Sequence, residues 1–242
     1  MSGARKTAIV TGASQGIGAG VLNAFVQRGY NVVGSSRKVT QSAEVAASDY
    51  VALVDGDIGE AATAARIVET ALFRFKSIDV LVNDAGIIFN KPFTEYTADD
   101  FQSLVKTNLE GFLYLTQLSI KQMLKQETRG SIVTITAALV RNPIRGTQAS
   151  VPMITKGGLA TVTQQLAMEY SKEGIRVNAV APGVVETPLQ GNASQEVKDS
   201  RSPMGVTSTV QDIADAVMYL TDARTVTGQI LYVDGGAHFG CW

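Results

Sequence analysis

Thr11, Gly12, Gly16 and Gly18 stand at a spacing that could hold a phosphate. They lie in Thr11-Gly12-Ala13-Ser14-Gln15-Gly16-Ile17-Gly18, directly after the apolar run Thr7-Ala8-Ile9-Val10 and before an apolar-periodic stretch closed by Gly29. That order predicts a strand, a turn and a helix. Gly12 can take backbone angles closed to other residues, Gly16 lets a phosphate approach the main chain, and Gly18 lets the helix pack tightly on the strand. The free N–H groups that open such a helix favour a pyrophosphate. The same glycines would also serve a tight strand-to-helix turn with no ligand, and their Gly-x-x-x-Gly-x-Gly spacing differs from the Gly-x-Gly-x-x-Gly dinucleotide fingerprint. A second signal follows the next strand, where an acidic residue would bind the ribose 2′-hydroxyl of NAD. This chain has Ser36-Arg37-Lys38 there. The cations suit the 2′-phosphate of NADP better than NAD, or else they are solvated loop charges.

Other chemistries find little support. One histidine, His238, makes a His-built metal site improbable, so no metal is expected, and one cysteine, Cys241, excludes an internal disulfide. A net charge of −1 with scattered Lys and Arg argues against a nucleic-acid surface. No run of 18 apolar residues exists, so no membrane partner is expected, and the first strand follows the N-terminus with no apolar leader, which sets a cytoplasmic expectation.

These residues need a frame. Apolar runs at 7–10, 31–36, 50–54, 78–82, 131–136, 175–180 and 229–233 read as strands. Between them, helices are expected at 19–28, 60–75, 98–126, 153–170 and 210–220, and Val68, Ala71, Leu72 and Phe75 mark one buried face of the second. Alternation of this kind predicts an α/β fold, a Rossmann-type doubly wound parallel sheet of about seven strands with helices on both faces. At 242 residues with 45% hydrophobic content, one domain over 1–242 is expected. Residues 188–209 are expected to form a substrate lid within it.

The leading Thr and the glycine spacing resemble the short-chain dehydrogenase/reductase family, and later motifs agree in order over nearly the whole chain: Asp55-Gly56-Asp57-Ile58, Asn83-Asp84-Ala85-Gly86, Lys106-Thr107-Asn108 and Pro182-Gly183-Val184-Val185-Glu186-Thr187. The resemblance implies an NADP(H)-binding oxidoreductase acting on a small carbonyl or hydroxyl compound, in a homo-oligomer joined through the 98–126 and 153–170 helices. It implies a cofactor site built from Gly12, Ser14, Gln15, Gly16, Ile17 and Gly18, then Arg37, Asp57 and Ile58, then Asn83, Ala85 and Gly86, and finally Lys156, Pro182, Gly183, Val185 and Thr187. Asp57 would lie beside the adenine, although an Asp there also suits a helix cap. Asp84 replaces the family's usual Asn. Asn108 and Lys156 are the implied catalytic residues, Asn108 through a proton relay, although a buried Asn also serves as a structural bridge.

The family pattern breaks at two places. A Tyr is expected one helical turn before Lys156, on the same face; the chain has Pro152 there, within Ser150-Val151-Pro152-Met153-Ile154-Thr155-Lys156. A Ser is expected at the end of the fifth strand, where Thr134-Ile135-Thr136-Ala137 places Ala137. Thr136 would substitute only if the register slipped by one residue. Ser150, Thr155, Tyr96 and His238 remain as thinkable donors, with His238 read as a solvated tail residue. The alternative to an enzyme with a non-standard donor is a nucleotide-binding protein without turnover, acting as a sensor or partner subunit.

Overall fold

A computed structural model describes residues 5–144, 146–188, 194 and 201–240. The N-terminal half alternates β1 (Thr7–Thr11), α1 (Gly16–Gln27), β2 (Asn31–Ser36), β3 (Val51–Asp55), α2 (Ala61–Phe75) and β4 (Val80–Asn83). It continues with α3 (Ala98–Leu104), α4 (Gly111–Met123), β5 (Gly130–Ile135), α5 (Ser150–Glu169), β6 (Ile175–Pro182), α6 (Val210–Asp222) and β7 (Ile230–Val233). Among the described residues the strands form one seven-stranded sheet in the order β3-β2-β1-β4-β5-β6-β7, with every pairing parallel. The expected doubly wound α/β fold is therefore what the chain forms.

Parallel strands connected by helices are covered on both faces, and their sequences read as continuous apolar runs. β1 is buried at all five positions. Its side chains nevertheless divide by alternation: Ala8 and Val10 face a cluster with Leu22 and Phe25 of α1 and Ile213 and Val217 of α6. Ile9 faces the opposite cluster, with Ile67 of α2, Leu115 and Met123 of α4, and Ala167 of α5. Period-two geometry thus splits one hydrophobic run between two cores.

One expected element differs. The helix expected over 98–126 is α3 and α4 joined by a π-helical turn, Val105–Glu110, with Asn108 buried at its centre. Such widened turns are often placed where a side chain must be aimed. Residues 189–193 and 195–200 of the expected lid, half of it, lie outside the described residues. Pro188 and Arg201 line the cleft described below, and Val185 bridges Ser208.

Candidate functional site

The direction of winding reverses between β1 and β4, where the strand ends splay and leave a crevice. A cleft of about 1190 Å³ opens over these carboxyl ends. Arg37 and Lys38 stand at one end, and neither forms an ion pair among the described residues. Gly12, Ser14, Gln15, Gly16 and Ile17, with Asp57 and Ile58, form the next stretch of wall. At the inner end lie Ala85, Gly86, Ile135, Thr136, Ala137 and Lys156, faced by Pro182, Gly183, Val185 and Thr187.

The Gly-rich turn leaves donors unclaimed. α1 begins at Gly16, its N-cap residue Gln15 makes no side-chain cap, and no acidic residue stands in its first turn. α3 and α6 instead carry complete capping boxes, Thr97 with Asp100 and Thr209 with Asp212. A helix start without a cap leaves N–H groups and a positive partial charge for another acceptor. Gly12 at φ +70 and Gly16 at φ +58 hold the left-handed angles that the turn needs. Close packing adds a second constraint: a Cβ on Gly18 would meet the Gly12 carbonyl carbon at 2.6 Å and Asp84 Oδ2 at 2.8 Å.

Three residues expected at the site do not line the cleft. Gly18 serves packing beneath it. Asn83 turns toward α4 and donates to Thr116 Oγ1 at 3.0 Å, because the last residue of β4 points to that face of the sheet. Asn108 Oδ1 accepts from Ile87 N at 2.8 Å, while its Nδ2 donates to Ile87 O at 3.0 Å and Thr155 Oγ1 at 2.9 Å. These bonds tie the segment after β4 to α5, and a Cβ on Gly86 would be 3.2 Å from both Asn108 Oδ1 and Lys156 Nζ. Asp57 combines its two expected roles in part: it lines the cleft and its Oδ1 accepts from Gly59 N at 2.9 Å, while the N-cap of α2 is Glu60.

The thinkable donors are otherwise engaged. Thr155 is fully buried and donates to Pro152 O, and Ser150 is exposed and does not line the cleft. Tyr96 holds the loops at Phe89 and Gln148. Thr136 lines the cleft without any register slip, since Ile135 pairs with Val180, and its hydroxyl donates to Val180 O. His238 is not the solvated tail residue expected. Its ring stacks on Tyr232 at 4.1 Å and its Nδ1 lies 3.0 Å from Asp234, with 14% of its side chain exposed. The loop after β5 adds lining residues that sequence reasoning missed, Asn142, Ile144 and Thr147. Their only signal was a connection longer than usual in the resembled family.

Two ionisable groups face each other at the inner end. Lys156 Nζ donates to Ile135 O at 2.8 Å, and burial holds the ammonium below the ordinary lysine value, opposed by Asp84. Burial likewise pushes Asp84 up to about 7, with Lys156 and the Gly18 N–H pulling the other way. A carboxyl raised from 3.8 to about 7 on folding favours the fold most below about pH 4 and loses that contribution as pH rises toward 7. At about pH 8, Asp84→Asn is therefore expected to be more stable in urea by about 2–4 kcal/mol, a gap that closes toward pH 4. A variant less stable than wild type at the higher pH would mean that the carboxylate is well paired.

The sheet order, the uncapped turn and the cleft at the switch point define a Rossmann-type α/β protein. A family model described as enoyl-(acyl carrier protein) reductase matches residues 12–238. The chain is 31% identical over 244 residues to 3β-hydroxysteroid dehydrogenase 1 of Eggerthella lenta, covering 96% of this chain and 93% of that one. Among solved structures it resembles ElxO with NADP bound, with a TM-score of 0.87 and 29% identity over 96% of this chain and 98% of that one. It also resembles the 3-ketoacyl-(acyl-carrier-protein) reductase of Brucella melitensis complexed with NADH, with a TM-score of 0.89 and 29% identity over 97% and 99%. The chain belongs to the short-chain dehydrogenase/reductase family.

Proposed function

We propose that this chain is an NADP(H)-dependent oxidoreductase for a small carbonyl or hydroxyl compound, working without the family's usual Tyr and Ser. The observation that carries it is the continuous wall from the uncapped start of α1 to Lys156. NADP(H), when bound, supplies or takes a hydride. The first-turn N–H groups of α1 would hold the pyrophosphate, Arg37 the 2′-phosphate, Lys156 the nicotinamide ribose and Thr187 the carboxamide. Support for NADP over NAD comes from Arg37 and Lys38, which form no ion pair among the described residues, and from the NADP-bound relative, while the NADH complex of another relative shows that the fold itself does not choose.

Lys156 lies at the inner end, and its bond to Ile135 O leaves two ammonium protons, one for the nicotinamide ribose and one for a substrate oxygen. With Pro152 and Ala137 in the family's catalytic places, the substrate must ask little of its acid, as an activated carbonyl, imine or enone does. Ile87, Ile88, Phe89, Leu139 and Ile144 wall this end and favour an apolar substrate. Asn108 is a positioning residue, holding the Ile87 segment against α5.

The same exchanges support a second reading, a nucleotide-binding member without turnover. A carbonyl, imine and enone panel with NADPH decides between them: turnover that disappears in Lys156→Ala excludes the silent reading, and no turnover on any class favours it. Arg37→Ala is expected to weaken NADPH binding by about ten- to a hundredfold with little effect on NADH, since a charge-assisted phosphate contact is worth about 1.5–3 kcal/mol. Nucleotide fluorescence titration measures both. The oligomeric assembly, joined through α3, α4 and α5, is proposed on family resemblance and is read by sedimentation.

A further inference from the structure

The amino end of α1 has an anionic neighbour as well as an open face. Asp84 follows β4 directly, and Thr11 Oγ1 accepts from its N–H at 3.1 Å and from Ala85 N at 3.0 Å, which fixes this corner against the end of β1. The carboxyl reaches back against the Gly-rich turn, and Asp84 itself lines the cleft. Its Oδ2 sits where a Cβ on either Gly12 or Gly18 would come within 2.8 Å, and the Gly18 N–H faces it. The helix start assigned to the pyrophosphate thus has the Asp84 carboxyl packed against it at the wall of the same cleft.

Two anions on one helix start repel, and little charge is at hand to relieve them. Lys156, from α5, is the ionisable side chain acting on Asp84. The residues packed on it from β1 and α1, Thr11, Gly12 and Gly18, carry no charge, and neither does Ala85. Lys156 is itself bonded to Ile135 O and is assigned to the ribose. A neutral carboxyl removes the conflict, and as an acid it can present a hydroxyl to the main chain where the family's Asn presents an amide.

We infer that Asp84 makes nucleotide binding proton-linked: the carboxyl is neutral when the dinucleotide is seated, so binding takes up a proton and weakens as pH rises above neutrality. This inference rests on the nucleotide-binding reading above. Burial, opposed by Lys156 and the Gly18 N–H, already brings Asp84 to about 7, so the linkage acts within the ordinary working range of pH. A phosphate brought to the same helix start raises the carboxyl further, because an added like charge disfavours ionisation.

The test is NADPH fluorescence titration of the full chain and of Asp84→Asn, from about pH 6 to about pH 8.5. If the nucleotide lifts the carboxyl by about one unit, the ratio of wild-type to variant Kd rises about five- to tenfold across that range. Taking the ratio cancels the titration of the ligand's own phosphate. A ratio constant with pH overturns the inference. Should Asp84→Asn fail to fold, calorimetry of the wild type at about pH 7.5 in two buffers of different ionisation enthalpy decides alone. About half a proton taken up per NADPH is the expected result, and no uptake overturns the inference. Absence of NADPH binding at every pH is a different result, because it removes the nucleotide-binding reading itself.

Discussion

The double variant Ala137→Ser/Pro152→Tyr is expected to reduce an ordinary ketone with NADPH about 10²- to 10⁴-fold faster than the wild type. A positioned general acid contributes about 10²–10⁴ and a donor to the substrate oxygen about 10²–10³, and groups that act together do not simply multiply. The scaffold is prepared for both. Position 152 lies in the first turn of α5, one turn before Lys156, so a phenol there shares its face with the ammonium. The backbone N–H that Tyr would restore belongs to a turn that does not use it. Ala137 continues β5 in extended backbone, φ −157 and ψ 141, and lines the cleft. Pro152 itself is buried and does not line the cleft, so the two single variants, assayed separately, show which hydroxyl reaches the substrate. A folded, NADPH-binding double variant with no gain would show that the wild-type geometry at these positions is not what limits reduction.

Lys156→Ala is expected to lower turnover by about 10²–10⁴-fold and NADPH affinity by about tenfold or more. The ammonium lies beside Gly86 and is bonded to Ile135 O, and nothing in the first turn of α5 stands in for it. Its loss also takes the counter-charge from Asp84, whose carboxyl then moves further toward the neutral form. Removing a buried methylene stem opens a cavity, so Lys156→Met, which refills most of that volume, separates packing from charge. Rapid-mixing kinetics and fluorescence titration on both variants are the measurements. Equal losses in Met and Ala variants with unchanged thermal stability assign the effect to the charge, whereas full activity in the Met variant would remove Lys156 from the chemistry.

Parts of this site were readable before any fold was known. The pairing of Lys156 with position 152 depends only on the helical repeat, and the turn from Thr11 to Gly18 depends only on which residues tolerate left-handed angles. Asp84 shows the other case. In the chain it is one acidic residue in a short turn, and its raised proton affinity comes from burial, which arises only when β1 and β4 lie side by side and bring its carboxyl against Gly12 and Gly18. Asn83 and Asn108 are polar residues in apolar runs, and either could have faced the cleft or the helices. The pleat of β4 sends Asn83 to Thr116, and the π turn spends the Asn108 amide on Ile87 and Thr155.

The sequence by itself determined the alternation of strands and helices, the open helix start, and the Pro152 and Ala137 that depart from the resembled pattern, because each is written in contiguous residues and short spacings. The tertiary structure alone decided which polar groups reach the cleft, that His238 is stacked on Tyr232 rather than solvated, and that Asp84 sits beneath the Gly-rich turn. Proton affinity and hydrogen-bond partners depend on desolvation and on neighbours far away in the chain, and those are set only when the sheet assembles.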